Sequence, residues 1–181
     1  MSRISAIDRN HAEEDVGRTF DAIQKKLGMV PNMMRTMAHS PAVLEGYLAL
    51  SGALSRGRLP ATLQVQIALA IAETNACNYC LSAHTALGRS AGLSDDQLTA
   101  SREGHATDGK ANAALQFALA VLQHRGGVSD QEFARVRAAG FSEAEIAEVI
   151  AQVALNVLTN YFNRAADTEI DFPLVTAGQP V

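Results

Sequence analysis

The chain has 181 residues, of which 48% are hydrophobic and 5% aromatic, and its formal net charge is -4. This length and apolar content predict a packed globular fold and argue against disorder. An acidic chain without a basic run is a poor partner for nucleic acid, which requires clustered Lys and Arg. No apolar run reaches the roughly 20 residues that a membrane span needs, and the N-terminus lacks a signal-peptide core, so a cytoplasmic location is expected.

Helical spacing of apolar residues organises the first half of the chain, after an N-terminal arm over residues 1–10. Ser40 and Pro41 are typical of an N-cap and a first helical position. Asn75 and Ala76 mark the expected end of an apolar helix that opens at Pro60. The helices predicted here cover residues 13–27, 32–39, 41–55 and 60–75, and a further one restarts at Cys77 and runs to about residue 92.

Capping boxes beginning at Ser94, Ser129 and Ser142 predict helix starts in the second half. The helices predicted there cover residues 94–102, 111–124, 129–139 and 142–162. Residues 103–109 are an expected loop, and residues 168–181 an expected loose C-terminal tail. Since no stretch alternates as strands do, the predicted fold class is all-α, with about eight helices in a single domain over residues 1–181. The similarity of residues 92–98 to residues 140–146 leaves open either a duplicated helical hairpin or shared capping chemistry.

The only two cysteines, Cys77 and Cys80, are separated by two residues, and His84 follows Cys80 by four. On a helix that restarts at Cys77, both thiols lie in the first turn, where the positive helix end lowers a thiol pKa. His84 lies on the face of Cys80 and is placed to accept its proton. A thiolate that attacks a peroxide becomes a sulfenic acid, which a neighbouring thiol resolves as a disulfide. The pattern therefore predicts a dithiol–disulfide cycle that needs no cofactor.

Other interpretations of the same residues stay open. Cys77, Cys80 and His84 are three ligands of a possible zinc site, but no obvious fourth ligand follows, so no metal is predicted. Glu73, one turn before Cys77, is either a polar residue that ends the preceding helix or a carboxylate that relays the proton of the resolving thiol.

Asparagines cluster in the last apolar helix, at Asn156, Asn160 and Asn163. Buried amides require hydrogen-bond partners. These side chains are predicted either to bind the turn before Cys77 or to line a substrate pocket, and the structural role is preferred.

The segment NACNYCLSAHT, residues 75–85, resembles the alkylhydroperoxidase D and carboxymuconolactone decarboxylase-like family. Similar segments extend the resemblance over most of residues 20–173, and it is greatest for the peroxidase-related branch. The resemblance implies an all-helical fold assembled as trimers or hexamers. It also implies a peroxidase cycle in which Cys80 attacks, Cys77 resolves and His84 assists proton transfer. A dihydrolipoyl-bearing partner protein is the reductant that the family implies.

One departure from the family concerns the glutamate that often lies twelve residues before the first cysteine, where this chain has Val65. Glu73 is the candidate to replace it, and Tyr79 stands between the cysteines where a histidine would be. The prediction is a homo-oligomeric thiol peroxidase for organic or hydrogen peroxides. The alternatives are a thiol–disulfide oxidoreductase or redox sensor, a lactone decarboxylase-type enzyme, against which the cysteine pair weighs, and a zinc-bound structural module.

Overall fold

The computed structural model describes residues 2–179, and this range contains nine α-helices, a short 3-10 turn and no strand. Met1, Pro180 and Val181, at the ends of the predicted arm and tail, lie outside the described residues. The all-α prediction is confirmed, with nine helices where about eight were expected. The helices are α1 Glu14–Leu27, α2 Asn32–Met37, α3 Pro41–Leu54, α4 Ala61–Thr74, α5 Asn78–Ser90, α6 Asp95–Arg102, α7 Gly109–Gln123, α8 Asp130–Ala138 and α9 Glu143–Ala166, and the 3-10 turn is Arg9–His11.

Side-chain caps set most helix starts in the second half of the chain. The capping boxes of Ser94, Ser129 and Ser142 are all present, each with both reciprocal hydrogen bonds. Helix α7 begins two residues earlier than predicted because the Asp108 carboxylate accepts a hydrogen bond from the backbone N–H of residue 111 at 2.7 Å. Ser40 occupies the N-cap position of α3, but its hydroxyl makes no capping hydrogen bond.

Helix α4 lies at the centre of the packing, as its nearly continuous apolar sequence predicts. Residues 66–72 of this helix are all buried. Leu69 and Ala72 pack in a cluster with α1, α2 and α5, whereas Ile67 and Ile71 pack in a second cluster with α7, α8 and α9. Because α4 belongs to both clusters, the helices before and after the loop over residues 103–109 pack against the same helix.

The N-terminal arm and the C-terminal tail are both tied to helices. The Arg3 guanidinium donates to the carbonyls of residues 164 and 165. These carbonyls lie in the last turn of α9, where a helix has no backbone N–H to donate to them. In the tail, the backbone N–H of Val175 donates to Ser82 Oγ at 2.9 Å and that of Ala177 donates to Asn78 Oδ1 at 3.0 Å. The tail is therefore anchored across the first two turns of α5, and its expected looseness is wrong for residues 175–177.

Helix α3 is apolar in sequence but buries only one of its residues, Leu44. Val43 and Leu50 keep 38% and 37% of their surface exposed, beside the small residues Gly46 and Ala53. This face has no partner within the described part of the chain. No helix within residues 2–179 is both long and apolar enough to cross a membrane.

Candidate active site

The site begins at the break between α4 and α5. Ala76 takes a left-handed conformation, with φ of 49°, and Cys77 N–H reaches back to the carbonyl of Ala72 at 2.9 Å. Cys77 is then the N-cap of α5. The predicted stop at Asn75 and restart at Cys77 are both confirmed, so Glu73 and Cys77 do not lie on one continuous helix.

Cys77 and Cys80 are joined as a disulfide, with their Cα atoms 5.3 Å apart. The backbone N–H of Cys80 points at Cys77 Sγ over 3.3 Å, as an N-cap acceptor requires. Both residues are buried, and both sulfur atoms lie at the positive end of a 13-residue helix. This position stabilises a thiolate when the pair is reduced.

A cavity of about 310 Å³ opens on Cys80 but not on Cys77. Its walls come mainly from α1, α2, α3 and α5, and no Asp or Glu of the described residues lines it. Lys26, an exposed residue of α1, is the one lysine or arginine among its lining residues. The apolar part of the lining includes Ile23, Met33, Met34, Leu48 and Phe172. Cys80 thus faces a largely apolar space that no carboxylate of the described residues lines.

His84 lies one turn after Cys80 on α5 and also lines the cavity. Its Nδ1 is enclosed and has no hydrogen-bond partner among the described residues, while the residue as a whole is half-buried. Burial lowers the pKa of His84 to about 4, because an enclosed imidazolium would lose its hydration. The imidazole is therefore neutral at neutral pH, and one of its ring nitrogens carries no proton.

Two of the predicted asparagines on α9 contact the segment around the two cysteines, residues 75–80. Asn75 Nδ2 donates to Asn160 Oδ1 at 3.0 Å, so Asn160 binds the turn before Cys77. Asn163 Nδ2 donates to Cys80 Sγ at 3.5 Å, and Asn163 lines the cavity. The third, Asn156, donates only to a carbonyl of its own helix. Asn160 therefore has the structural role that the sequence favoured, and Asn163 lines the cavity.

Tyr79, the residue between the cysteines, serves as a structural contact. Its hydroxyl accepts a hydrogen bond from the backbone N–H of Met33 at 3.0 Å, and its ring packs edge-on against Phe172 at 5.8 Å. Burial raises the pKa of Tyr79 well above its usual range. The phenol stays protonated, so it does not act as a base in place of a histidine.

Glu73 lies away from the cavity and is fully engaged. One carboxylate oxygen accepts from Arg102 Nε at 2.7 Å and the other accepts from the backbone N–H of Gly178 at 2.6 Å. The Arg102 side chain is only 5% exposed and also donates to the carbonyl of Thr176. These contacts tie the tail to α4 and α6, and none of them leads to Cys80.

Val65, at the position of the family's glutamate, packs near the C-terminal part of α5. Its Cγ1 lies 3.2 Å from where a Cβ on Gly88 would stand, one helical turn beyond His84. The adjacent Gln64 donates to the carbonyls of Leu54 and Leu59. Neither side chain is an acid or a base, so this position supplies no acidic partner to His84 in place of the glutamate.

Neither the walls of the cavity nor the contact between Asn163 and Cys80 has a local signal in the sequence. Met33 and Met34 were visible as helical apolar positions, but only the fold brings them beside α5. A larger groove of about 550 Å³ lies along α4, α6 and α7 and contains none of the predicted redox residues. Within residues 2–179, no group of three or more His, Cys, Asp and Glu side chains is arranged to hold a metal ion.

Comparison with known proteins places this arrangement among related sequences and folds. A profile of the carboxymuconolactone decarboxylase family matches residues 41–124. The uncharacterized peroxidase-related protein of Ralstonia eutropha JMP134, described as an alkylhydroperoxidase AhpD core, is 26% identical, with a TM-score of 0.83 over 94% of this chain and 92% of that one. A search of curated proteins found no match.

Two further solved structures share the fold. The peroxidase-related protein of Silicibacter sp. TM1040 is 23% identical, with a TM-score of 0.79 over 92% of this chain and 91% of that one. A cysteine-to-alanine variant of the debrominase Bmp8, solved in complex with 2,3,4-tribromopyrrole, is 22% identical, with a TM-score of 0.77 over 94% of this chain and 92% of that one.

Proposed function

We propose that this chain is a thiol-dependent peroxidase related to the alkylhydroperoxidase D and carboxymuconolactone decarboxylase-like family, a proposal that the family match over residues 41–124 supports. Its substrates are organic or hydrogen peroxides, reduced through a dithiol–disulfide cycle of Cys77 and Cys80. The observation that carries the proposal is that Cys80, at a helix N-terminus, faces the apolar cavity, whereas its partner Cys77 does not. Cys80 is thus the sulfur that an entering peroxide meets.

The first step uses Cys80 and His84. The neutral imidazole of His84 takes the thiol proton only transiently, as the thiolate attacks the terminal oxygen of the peroxide. The S–O bond forms as the O–O bond breaks, and the leaving alkoxide receives the proton from His84. Cys80 becomes a sulfenic acid, and the alcohol leaves. The thiol of Cys77, held close by the CxxC turn, then displaces water and forms the disulfide.

The cycle closes when a dithiol reductant reopens the disulfide. Cys77 and Cys80 keep only 1% and 3% of their surface exposed, so a bulky protein thiol has no direct access to either sulfur. A thin apolar dithiol arm fits a cavity of about 310 Å³ that ends at Cys80. This access supports a dihydrolipoyl-bearing protein as the physiological reductant, with attack at Cys80 and release of Cys77.

A homo-oligomer, trimer or hexamer, is part of the same proposal. The unpartnered face of α3 supports it, because Val43 and Leu50 are exposed beside small residues that allow close helix contact. Residues of the same helix, Tyr47 and Leu48, line the cavity. Sedimentation analysis of wild type and Leu50→Glu tests the point: the variant should dissociate, and a monomeric wild type would contradict the proposal.

The central experiment follows reduced protein mixed rapidly with cumene hydroperoxide. The chain has no Trp whose fluorescence could follow the reaction, and it has only two cysteines. Free thiols are therefore counted chemically, and sulfenate is trapped with dimedone for mass spectrometry. Wild type should lose both thiols, Cys77→Ser should stop at a trapped sulfenate on Cys80, and Cys80→Ser should not react. If Cys80→Ser consumed peroxide as fast as wild type, Cys80 would not be the attacking residue.

The same experiment separates the alternatives. A thiol–disulfide oxidoreductase or redox sensor would exchange its disulfide with dithiols yet react with peroxide no faster than a free thiol of similar pKa. A lactone decarboxylase-type activity would survive when both cysteines are replaced by serine. Metal analysis of the purified protein tests the zinc-bound module.

Glu73 enters the proposal only through its predicted relay role, which stays a prediction. Its contacts with Arg102 and Gly178 favour anchoring of the tail. A Glu73→Gln variant keeps the shape of the side chain and removes its charge. An unchanged rate of sulfenate formation and disulfide closure would take Glu73 out of the mechanism.

A further inference from the structure

The carboxamide of Asn163 connects α9 directly to the sulfur of Cys80. Asn163 is 83 positions away in sequence and only 3% exposed, and its Nδ2 donates to Cys80 Sγ at 3.5 Å. Sulfur is a weak acceptor as a thiol and a much better one as a thiolate, since hydrogen bonds to ionised acceptors are stronger. The contact seen here is to the disulfide sulfur; kept in the reduced protein, it stabilises the ionised form of Cys80 more than the protonated form.

The other end of the same carboxamide is unpaired. Asn163 Oδ1 is fully enclosed and has no hydrogen-bond partner among the described residues, although Asn163 lines the cavity. Buried polar atoms are normally paired, so an orphaned acceptor beside a reactive sulfur requires a reason. Asn160 also has an unpaired amide nitrogen, but that residue does not line the cavity.

We propose that Asn163 is a catalytic residue of the peroxide reaction in the reduced protein: once the disulfide is open, Nδ2 holds the Cys80 thiolate and Oδ1, which is enclosed in the disulfide form, accepts the O–H of the substrate. This inference rests on the proposed peroxidase function and narrows its substrates to hydroperoxides, R–O–O–H, with an apolar R group. An acceptor next to the thiolate orients the terminal oxygen, which carries the hydrogen, toward sulfur. A dialkyl peroxide has no O–H to offer and is not a substrate.

The step balances in atoms and electrons. The thiol proton of Cys80 goes to His84, and a sulfur electron pair forms the S–O bond to the terminal oxygen as the O–O bond breaks. The terminal oxygen keeps its hydrogen, held by Asn163 Oδ1, and becomes the sulfenic acid O–H. The alkoxide takes the proton from His84 and leaves as the alcohol. The hydroperoxide is the oxidant, and the only group oxidised is Cys80.

Two reagents separate the two halves of the proposal. Cumene hydroperoxide offers an O–H, whereas methyl methanethiosulfonate has no hydrogen-bond donor and reports only the reactivity of the thiolate. Their second-order rate constants are measured from pH 5 to 9 in a Cys77→Ser background, where Cys80 is the single thiol. The variants are Asn163→Leu, which has similar shape and no polar atoms, and Asn156→Leu, a buried asparagine of the same helix that does not line the cavity.

In Asn163→Leu, the pH profile with the thiosulfonate should move to higher pH, because the thiolate has lost its donor. The hydroperoxide rate at neutral pH should fall roughly 10- to 100-fold, the usual effect of removing one hydrogen bond to a charged reacting group. At the upper end of the pH range, the hydroperoxide rate should remain depressed relative to the thiosulfonate rate, because this ratio cancels any difference in the ionised fraction of the thiol. Asn156→Leu should change neither profile.

Three outcomes would overturn the inference. An unmoved thiosulfonate profile in Asn163→Leu removes the thiolate contact, and equal loss with both reagents at high pH removes the acceptor role. A near-isosteric Asn163→Asp variant covers the case in which the leucine variant fails to fold. It retains an acceptor, so the ratio of the hydroperoxide rate to the thiosulfonate rate at high pH should stay near that of wild type. A lowered ratio would refute the role of Oδ1. A wild type inert to hydroperoxide refutes the proposed function itself, whereas an active wild type with a normal Asn163→Leu refutes only this inference.

Discussion

The enclosed imidazole of His84 should make the fold sensitive to mild acid. Burial lowers the pKa of His84 to about 4, whereas an unfolded chain titrates its histidines near about 6.5. Between these two values the unfolded chain binds the proton and the folded chain does not. The free energy of unfolding should therefore be unaffected by His84 above about pH 6.5 and fall steadily as the pH drops to about 4.

The size of this effect follows from the distance between the two pKa values. A difference of about 2.5 pH units corresponds to about 3 kcal/mol, lost in full once the pH is below about 4. Because His84 is half-buried and lines the cavity, this figure is an upper bound. It remains a large fraction of the roughly 5–15 kcal/mol that typically stabilises a domain.

Urea unfolding followed by far-UV circular dichroism, at intervals from pH 7.5 to 4, measures the effect. Carboxylates titrate in the same window, so the quantity that matters is the stability of wild type minus that of His84→Gln at each pH. This difference should decline from pH 6.5 to 4. The control is His105→Gln, which replaces a histidine at an exposed position in the loop after α6 and measures any effect common to histidine replacement. A flat difference for His84→Gln would show that His84 is not held neutral by its surroundings.

Three further substitutions, the last with a matched control, test local packing, anchoring of the tail and helix capping. Gly88→Ala brings a Cβ to 2.5 Å from a methyl group of the fully buried Leu98. It should therefore destabilise the protein by about 1–3 kcal/mol, although alanine has the better helix propensity. A stabilised variant would contradict this close contact. Glu73→Ala leaves the buried Arg102 without its carboxylate partner and removes the hydrogen bond to Gly178 in the tail. It should lower the free energy of unfolding by about 2 kcal/mol and speed proteolysis of the tail. A tail as protease-resistant as that of wild type would contradict the anchoring role. Ser142→Ala removes a capping box and should cost about 1 kcal/mol in thermal or urea unfolding, whereas Ser40→Ala, whose hydroxyl caps nothing, should cost almost nothing.

Much of the fold was predicted from the sequence because helix starts and ends depend on interactions between neighbouring residues. The Ser-x-x-Gln and Ser-x-x-Glu boxes at Ser94 and Ser142 predicted helix starts correctly because a cap depends on residues within one turn. The break at Asn75 and the restart at Cys77 were predicted for the same reason. The tail was misjudged, because its hydrogen bonds go to side chains of α5, about 95 residues earlier in the chain, and no local pattern records them.

The sequence alone therefore determined the all-α class, the pairing of Cys77 with Cys80 and the face shared with His84, since all of these depend on neighbours within four residues. Only the tertiary structure decided which sulfur faces a cavity, that His84 is enclosed and neutral, and that Asn163 reaches Cys80 from another helix. Access, desolvation and long-range hydrogen bonds are properties of the space between packed helices. Helical periodicity shows which faces are buried but not which groups meet there.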